Sequence, residues 1–407
     1  METSFLPLLF GGDINVYSMA RAFHEAYGIR SAAYGKFATG VCYESAILDY
    51  RVCAQNEDGP TFFQNVCGYA GEHPDKTVLV IGCGDSYVKL AARYRDQFPA
   101  NVIAPYIDYD LMDRLTNKEK FYELCDQFGI DHPGTFVYRR EMGHDFQLPF
   151  GAPYICKPSN GVAYWEHDFP GSEKVFCLPT REALEATLDR VYAAGYPDSM
   201  IIQEFIPGDD SFMRVLTCYS GADAKVRLMC LGHVLLEEHT PHGVGNHAVI
   251  ITEPNDELCE KFRLFLEALH FTGFSNFDIK YDSRDGSFRF FEVNTRCGRN
   301  TYYMSLGGQN FVELIVREFV MGQPVEYHEA YNPFLYCCVP AYVLKRSMDN
   351  QERLAQALKA LKATDEPYPL HYAPDSFKHN MWAKIMHLNQ IRKFKRFYWD
   401  TNGKQLK

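Results

Sequence analysis

Residues 290–300 read FFEVNTRCGRN. The stretch opens like a strand, with Phe290, Phe291 and Val293 supplying apolar, β-favouring side chains. Polar groups then follow at every second residue: Glu292, Asn294 and Arg296. On a strand, residues two apart project from the same face. One row therefore carries a carboxylate, an amide and a guanidinium. Upstream, FSNFDIKYD (274–282) reads as a second strand, joined to the first through Ser283, Arg284, Asp285 and Gly286 as a hairpin. The hairpin sets Asp278 beside Glu292. Two facing carboxylates repel unless a cation lies between them. Mg²⁺ is held by one or two carboxylates together with substrate phosphates. Asn294 adds a neutral oxygen, and Arg296 stands where it can meet a phosphate or a developing oxyanion. The plainer alternative is an exposed sheet face with surface ion pairs, which accounts for two acids more readily than for Asp, Glu, Asn and Arg together.

The rest of the chain sets this hairpin in a larger frame. Its 407 residues suffice for two or three domains, and 46% apolar composition supports a sizeable core. A net charge of −11 argues against a general nucleic-acid binder. The 13 cysteines show no CxxC pair, Cys337–Cys338 being the closest, as expected of reduced thiols rather than a disulfide framework. Met1–Phe10 has no basic lead and only a short apolar run, so a cytoplasmic protein is expected.

FLPLLFGGDINVYSMARAFHEAYGIRSAAYG (5–35) reads strand, glycine turn, helix, strand, with Asp13 or Asn15 as cap and Gly28 as stop. KTVLVIGCGDSYVKLAARY (76–94) repeats the plan, so an open parallel sheet is expected over roughly 1–112. Neither turn matches GxGxxG, which disfavours a nicotinamide site. The turn glycines either face a ligand or simply make tight strand–helix connections. Beyond this region the pattern is α+β: helices near 117–128, 180–194 and 256–269, and strands near 134–139, 153–157, 199–205, 212–219 and 225–236.

Other segments suit a nucleotide. PYICKPSNG ends a strand at Lys157, followed by Ser159, Asn160 and Gly161, a loop whose N–H groups can cover phosphates. IIQEFIPGDD ends a strand at Gln203–Phe205. Glu204 to Ile206 can read an adenine edge, and Asp209 or Asp210 can accept from ribose. Each segment alone is equally well a turn.

In combination, order and spacing over 115–320 resemble the ATP-grasp superfamily. The resemblance implies an ATP-grasp fold, α/β plus α+β, with an N-terminal Rossmann-like sheet domain (1–114), an ATP-grasp domain (115–320) and a C-terminal extension with a helical tail (321–407). It implies ATP and Mg²⁺, two ions, as cofactors. Lys118, with Lys120 as a second register, and Lys157 match the phosphate lysines. Gln203 to Ile206 match the adenine hinge, and Asp210 matches the ribose acid. Asp278, Glu292 and Asn294 match the metal ligands, and Arg296 the arginine that steadies the tetrahedral species. The phosphate loop departs from the pattern, since PSNGVAYWEHDF has one glycine and bulky residues. Either closure is restricted, or Tyr164, Trp165 and His167 serve a second substrate.

Over nearly its whole length the chain is similar to the D-aspartate ligases of lactic-acid bacteria. The carrying segments are GGDINVYSMARAFHEAYGI, VLVIGCGDSYV, IQEFIPGDDSFMRVL, LGHVLLEEHTPHGVGNHAVI and GFSNFDIKYD. This resemblance implies D-aspartate and a nucleotide-linked muropeptide as partners. An anionic amino acid needs a cation beyond those on ATP, and Arg214, Lys280 and Arg299 are candidates, Arg214 also as a catalytic residue. Gly12 and Asp13 are expected near the acid substrate. In EEHTPHGVGNHAV, Glu237, Glu238, His239, His242 and His247 are candidate bases for an amine, or members of a solvated loop.

The tail is distinct. Residues 376–407 hold eight Lys or Arg and one acid, a net +7 against −18 for the remainder. Phe377, Met381, Ile385, Leu388, Ile391 and Tyr398 recur at helical steps. Either this helix docks on the acidic body, or it holds the protein at an anionic membrane surface.

Overall fold

The computed structural model describes residues 4–240 and 243–400. Three sheets form the frame. The first is parallel, in the order Leu48–Val52, Ser31–Gly35, Phe5–Phe10, Thr77–Gly82, Val102–Ile103. Its central strands are almost wholly apolar, as a sheet covered on both faces requires. Asp13 caps helix Ile14–Tyr27 by accepting from the Asn15 N–H, and Gly28 ends it at φ 66°. Gly11, at φ 145°, has no room for a Cβ, which would lie 2.9 Å from Val16 Cγ2 and 3.2 Å from Cys83 Cβ. The first strand–helix turn is therefore packed against the second.

The second sheet is antiparallel, in the order Thr135–Tyr138, Met200–Glu204, Tyr154–Pro158, Phe176–Leu178, and is backed by helix Arg181–Ala193. The third runs Ser287–Asn294, Gly273–Asp282, Met213–Ser220, Val226–Glu237, His247–Thr252, Leu335–Cys337, with His328–Glu329 beside Val226–Glu237. Its last strand comes from beyond residue 320, so the C-terminal segment completes the sheet that bears the hairpin. Three residues are too few for that strand to show a period in sequence.

The hairpin has one irregularity with consequences. Asp278 pairs with Glu292, but Ile279 pairs with Phe290, so Phe291 is an extra residue in its strand. This bulge reverses the alternation. Phe290 and Val293, three apart, both enter the core around Phe262 and Phe277. Phe291 and Glu292 are left to the cleft.

Helix Phe377–Phe394 docks on the body. The buried His379 ring lies 3.1 Å from the Tyr43 carbonyl oxygen and 3.0 Å from that of Leu370, and stacks on Tyr17. Asp375, just before the helix, accepts from Tyr17 Oη at 2.6 Å, Ser45 Oγ at 2.8 Å and the Ala46 N–H at 2.6 Å. Phe394 closes the far end in a cluster with Leu344 and Leu354. Among the described residues no helix is long and apolar enough to cross a membrane.

Candidate active site

A cleft of about 270 Å³ lies between the second and third sheets. Its apolar end is built from Ile155, Val175, Phe205, Ile206, Met213 and Phe291. Gln203, Glu204, Phe205 and Ile206 line it where strand Met200–Glu204 ends. The Glu204 carboxylate is already engaged, accepting from the Gly134 N–H at 2.8 Å and pairing with Arg284 at 2.9 Å. Asp210 accepts from His239 Nε2 at 2.8 Å and the Glu237 N–H at 2.9 Å. Burial works against its charge, but these bonds prevail and hold the carboxyl below its usual range.

Lys280 also belongs to this end. Its Nζ donates to the Gly208 carbonyl at 2.9 Å and stands 5.6 Å from the Phe205 ring centroid. It is placed toward this cleft, because it shares a sheet face with Asp278, one step closer to the apolar end.

Cations gather at the polar end. Lys157 Nζ donates to Tyr122 Oη at 3.1 Å, and burial, helped by the charge of Lys118, pushes its pKa down to about 7. Lys118 lies 3.8 Å from Glu292 Oε2, whereas Lys120 is drawn away to Asp113 at 2.6 Å. Lys174, unmarked by any spacing in the sequence, lines the same cleft. Ser159 and Gly161 border its outlet. The segment expected as a loop is instead a short helix, Gly161–Glu166, capped by Asn160. Tyr164 is buried in the core of the second sheet, and the His167 ring bonds back to the Ala163 carbonyl at 2.8 Å, so both are structural. Trp165 remains on the cleft wall.

Asp278 and Glu292 face each other in register, with Asn294 two residues on, opposite Asn276. Burial, and then the charge of Glu292, drives Asp278 well above the carboxylate range. Burial opposes Glu292 too, but Lys118, Lys174 and Lys157 outweigh it and hold its pKa at about 2. Two half-buried carboxyls in one place, one driven up by burial and by the charge of the other, fit a Mg²⁺ site that uses Asp278, Glu292 and Asn294.

Past this pair the cleft opens into a second cavity of about 390 Å³, reached by Lys89, His247, Arg296, Arg299 and Asn300. Arg296 spans the junction: its Nε lies 2.6 Å from Asp85 Oδ1 and its Nη2 donates to Asn294 Oδ1 at 3.2 Å. His247 Nδ1 faces the Asn300 amide nitrogen, a donor, at 3.2 Å, which puts the ring proton on Nε2. That Nε2 is buried without a hydrogen-bond partner, 3.6 Å from Glu237 and 3.9 Å from Asp278. Burial keeps the ring neutral, at about 4. It is therefore a donor aimed into the site and not a base. Burial also raises Glu237 to about 8, with Asp210 contributing.

Arg214, Asp13 and Gly12 stand elsewhere than the cleft wall. Arg214 is turned away from the cleft. It pairs with Glu253 in a separate hollow with Ser211 and Arg353, because Val215, not Arg214, is the residue in register with Asp278. Asp13 and Gly12 stand behind the second cavity: Asp13 caps its helix and pairs with Arg299 at 3.6 Å, while a Cβ on Gly12 would meet Tyr50 Oη at 2.7 Å. His242 lies outside the described residues.

No protein-family model matches the chain. A solved L-amino acid ligase from Bacillus licheniformis superposes with a TM-score of 0.55 at 16% identity, covering 80% of this chain and 76% of that one. An ADP complex of N5-carboxyaminoimidazole ribonucleotide synthetase gives 0.61 at 12% identity, covering 82% and 81%. These establish the ATP-grasp fold. Among curated proteins, a D-aspartate ligase of Enterococcus faecium (strain Aus0004) is 38% identical over 412 residues, 98% of this chain and 98% of that protein. Fold and relative together define an ATP-dependent carboxylate–amine ligase. The chain belongs to the D-aspartate ligase family.

Proposed function

We propose that this enzyme activates the β-carboxylate of D-aspartate with ATP and joins it to the lysine ε-amine of a nucleotide-linked muropeptide. The observation that carries the reading is the continuity of the two cavities. Lys118, Lys174, Asp278 and Glu292 line both, and the second cavity adds Arg296 and Arg299. An anionic acid entering there meets guanidinium groups before it meets the phosphates. With ATP in the first cavity, its adenine lies toward Phe205, Ile206 and Phe291, its ribose toward Asp210, and its phosphates toward Lys157, Lys118 and Lys174.

Carboxylate and γ-phosphate repel, so the approach needs positive charge on every side. Two Mg²⁺ ions on Asp278, Glu292 and Asn294 would supply that neutralisation. Lys118 and Lys157 hold the phosphates, and the His247 Nε2–H donates to an oxygen brought within its reach. A β-carboxylate oxygen attacks the γ-phosphorus and ADP leaves, giving the acyl phosphate. The neutral amine then attacks the acyl carbon, and inorganic phosphate leaves, with the amine proton passing to it or to solvent. Arg296 stabilises the oxyanion between, a contribution of ~3–4 kcal/mol for one such donor. Arg299 holds the α-carboxylate that stays ionised. The enzyme works in the cytoplasm, with its basic tail toward the anionic inner face of the membrane.

Phosphate release across D- and L-amino acids, with and without the muropeptide, tests this. D-aspartate should be the amino acid that supports turnover, with the muropeptide as amine. Faster release with another amino acid would replace the substrate while leaving the reaction class.

A further inference from the structure

The docked C-terminal helix has a second face. Phe377, Met381, Ile385 and Leu388 follow one another at steps of four, four and three, so they share one side of the helix. All are exposed, Phe377 at 80%, Ile385 at 50% and Leu388 at 59%. The buried residues His379, Ala383 and Phe394 lie on the opposite side. Trp382 and Tyr43, both exposed and in ring contact, widen the stripe onto the first domain. A contiguous apolar surface of this kind marks a site of interaction rather than an ordinary wetted face.

Its charges are equally one-sided. Between Ser376 and Asp400 there are six Lys or Arg and one acid, Asp400 itself. Lys378 and Lys384 flank the stripe on its two sides, and Arg392, Lys395 and Arg396 continue beyond Leu388, all exposed. Lys378 pairs with Glu44 at 3.3 Å. Among the described residues, Lys384, Arg392, Lys395 and Arg396 form no ion pair. The helix is pinned by its other face, so the stripe cannot fold back onto the core.

We propose that this face is a docking surface for an anionic lipid bilayer. Phe377, Met381, Ile385 and Leu388 enter the headgroup boundary while the flanking cations meet lipid phosphates. The acidic remainder of the chain is repelled from the same surface, which orients the protein. A second copy docking through a two-fold axis would instead set basic helix against basic helix. The inference deepens the membrane contact stated above and does not depend on which amino acid is activated.

The test uses the full chain, sedimented with vesicles of equal phosphatidylglycerol and phosphatidylcholine or of phosphatidylcholine alone. Binding to the anionic vesicles is expected, weakening with salt. The double variant Ile385→Glu/Leu388→Glu alters only exposed side chains and should weaken it about tenfold or more. Phosphate release measured on the same samples should be unchanged by the variant, which separates this proposal from the reading of the reaction. Equal binding to both vesicle types, or undiminished binding by the variant, overturns the proposal. So does a wild-type dimer in sedimentation velocity that the variant dissociates, with no vesicle binding in either protein.

Discussion

Arg296, two residues past strand Ser287–Asn294, is held by Asp85, just after strand Thr77–Gly82 of the first sheet: Nε and Oδ1 are 2.6 Å apart, between residues 211 positions distant in the chain. Asp85 opens helix Asp85–Tyr94, so its carboxylate also sits at a positive helix end. Asp85 thus fixes the angle at which the guanidinium faces the junction of the two cavities, and acts on the reaction through Arg296. Arg296→Ala should lower turnover by about 10²–10³ with little change in KM for ATP. Asp85→Asn should lower turnover by about tenfold, through misorientation. Steady-state kinetics separate the two, and equal losses would mean that Asp85 does more than position.

Glu292→Gln is expected to fail in another way. It removes a metal carboxylate and the partner of Lys118, so both KM for ATP and turnover should suffer. The Mg²⁺ concentration for half-maximal rate should rise about tenfold. A magnesium titration at saturating ATP reads this directly, and an unshifted curve would remove Glu292 from the metal site.

Lys157 makes a pH-dependent contribution whose sign is set by burial. Its folded pKa is about 7 against 10.5 for the free side chain. Between those values the unfolded chain binds the extra proton, so the nucleotide-free protein gains stability as pH rises through this window and bears the full penalty below it. Lys157→Met should flatten that rise and increase the melting temperature at pH 7 by a few degrees. It should also abolish most of the stabilisation by ATP, because phosphate favours the charged lysine. Thermal melts from pH 6 to 10, with and without ATP, check both effects.

The three candidate cations should separate by substrate. Arg299→Ala should raise KM for D-aspartate by about tenfold or more while sparing ATP. Lys280→Met, beside Phe205 and Gly208, should raise KM for ATP instead. Arg214→Ala takes one of two partners from the half-buried Glu253, leaving His233 at 3.0 Å, and should lower stability without a selective KM effect. Chemical denaturation and two KM measurements per variant suffice. A selective D-aspartate defect in Arg214→Ala would reverse this assignment.

Truncation after Asp375 tests the docked face of the tail. It removes the stacking of His379 on Tyr17 and uncovers the cluster closed by Phe394. The melting temperature should fall by several degrees, as measured by calorimetry. An unchanged value would mean that the helix contributes only its outer surface.

What the sequence determined by itself is local in origin. Alternation exposed the Glu292, Asn294, Arg296 row, glycine turns marked the parallel sheet, and a cap at Asp13 or Asn15 with the Gly28 stop bounded a helix, because each depends on neighbours a few residues apart. The choice of Lys118 over Lys120 and of Asp210 over Asp209 came from the resemblance to the ATP-grasp superfamily. Tertiary structure decided the rest. The bulge at Phe291 exists only once Gly273–Asp282 is paired, and it sends one phenylalanine to the core and the next to the cleft. Arg214 and Val215 are adjacent in sequence, and register with Asp278 alone chooses which of them faces the cleft. Lys174 and Asp85 reach the site from a loop and from the start of a helix in another part of the chain, with no periodicity to announce them. The tail shows the division most plainly. Its sequence permits docking on the body or on a membrane, and the fold uses one face of the helix for the body while leaving the other outside, because a helix has two sides and composition does not say which is covered.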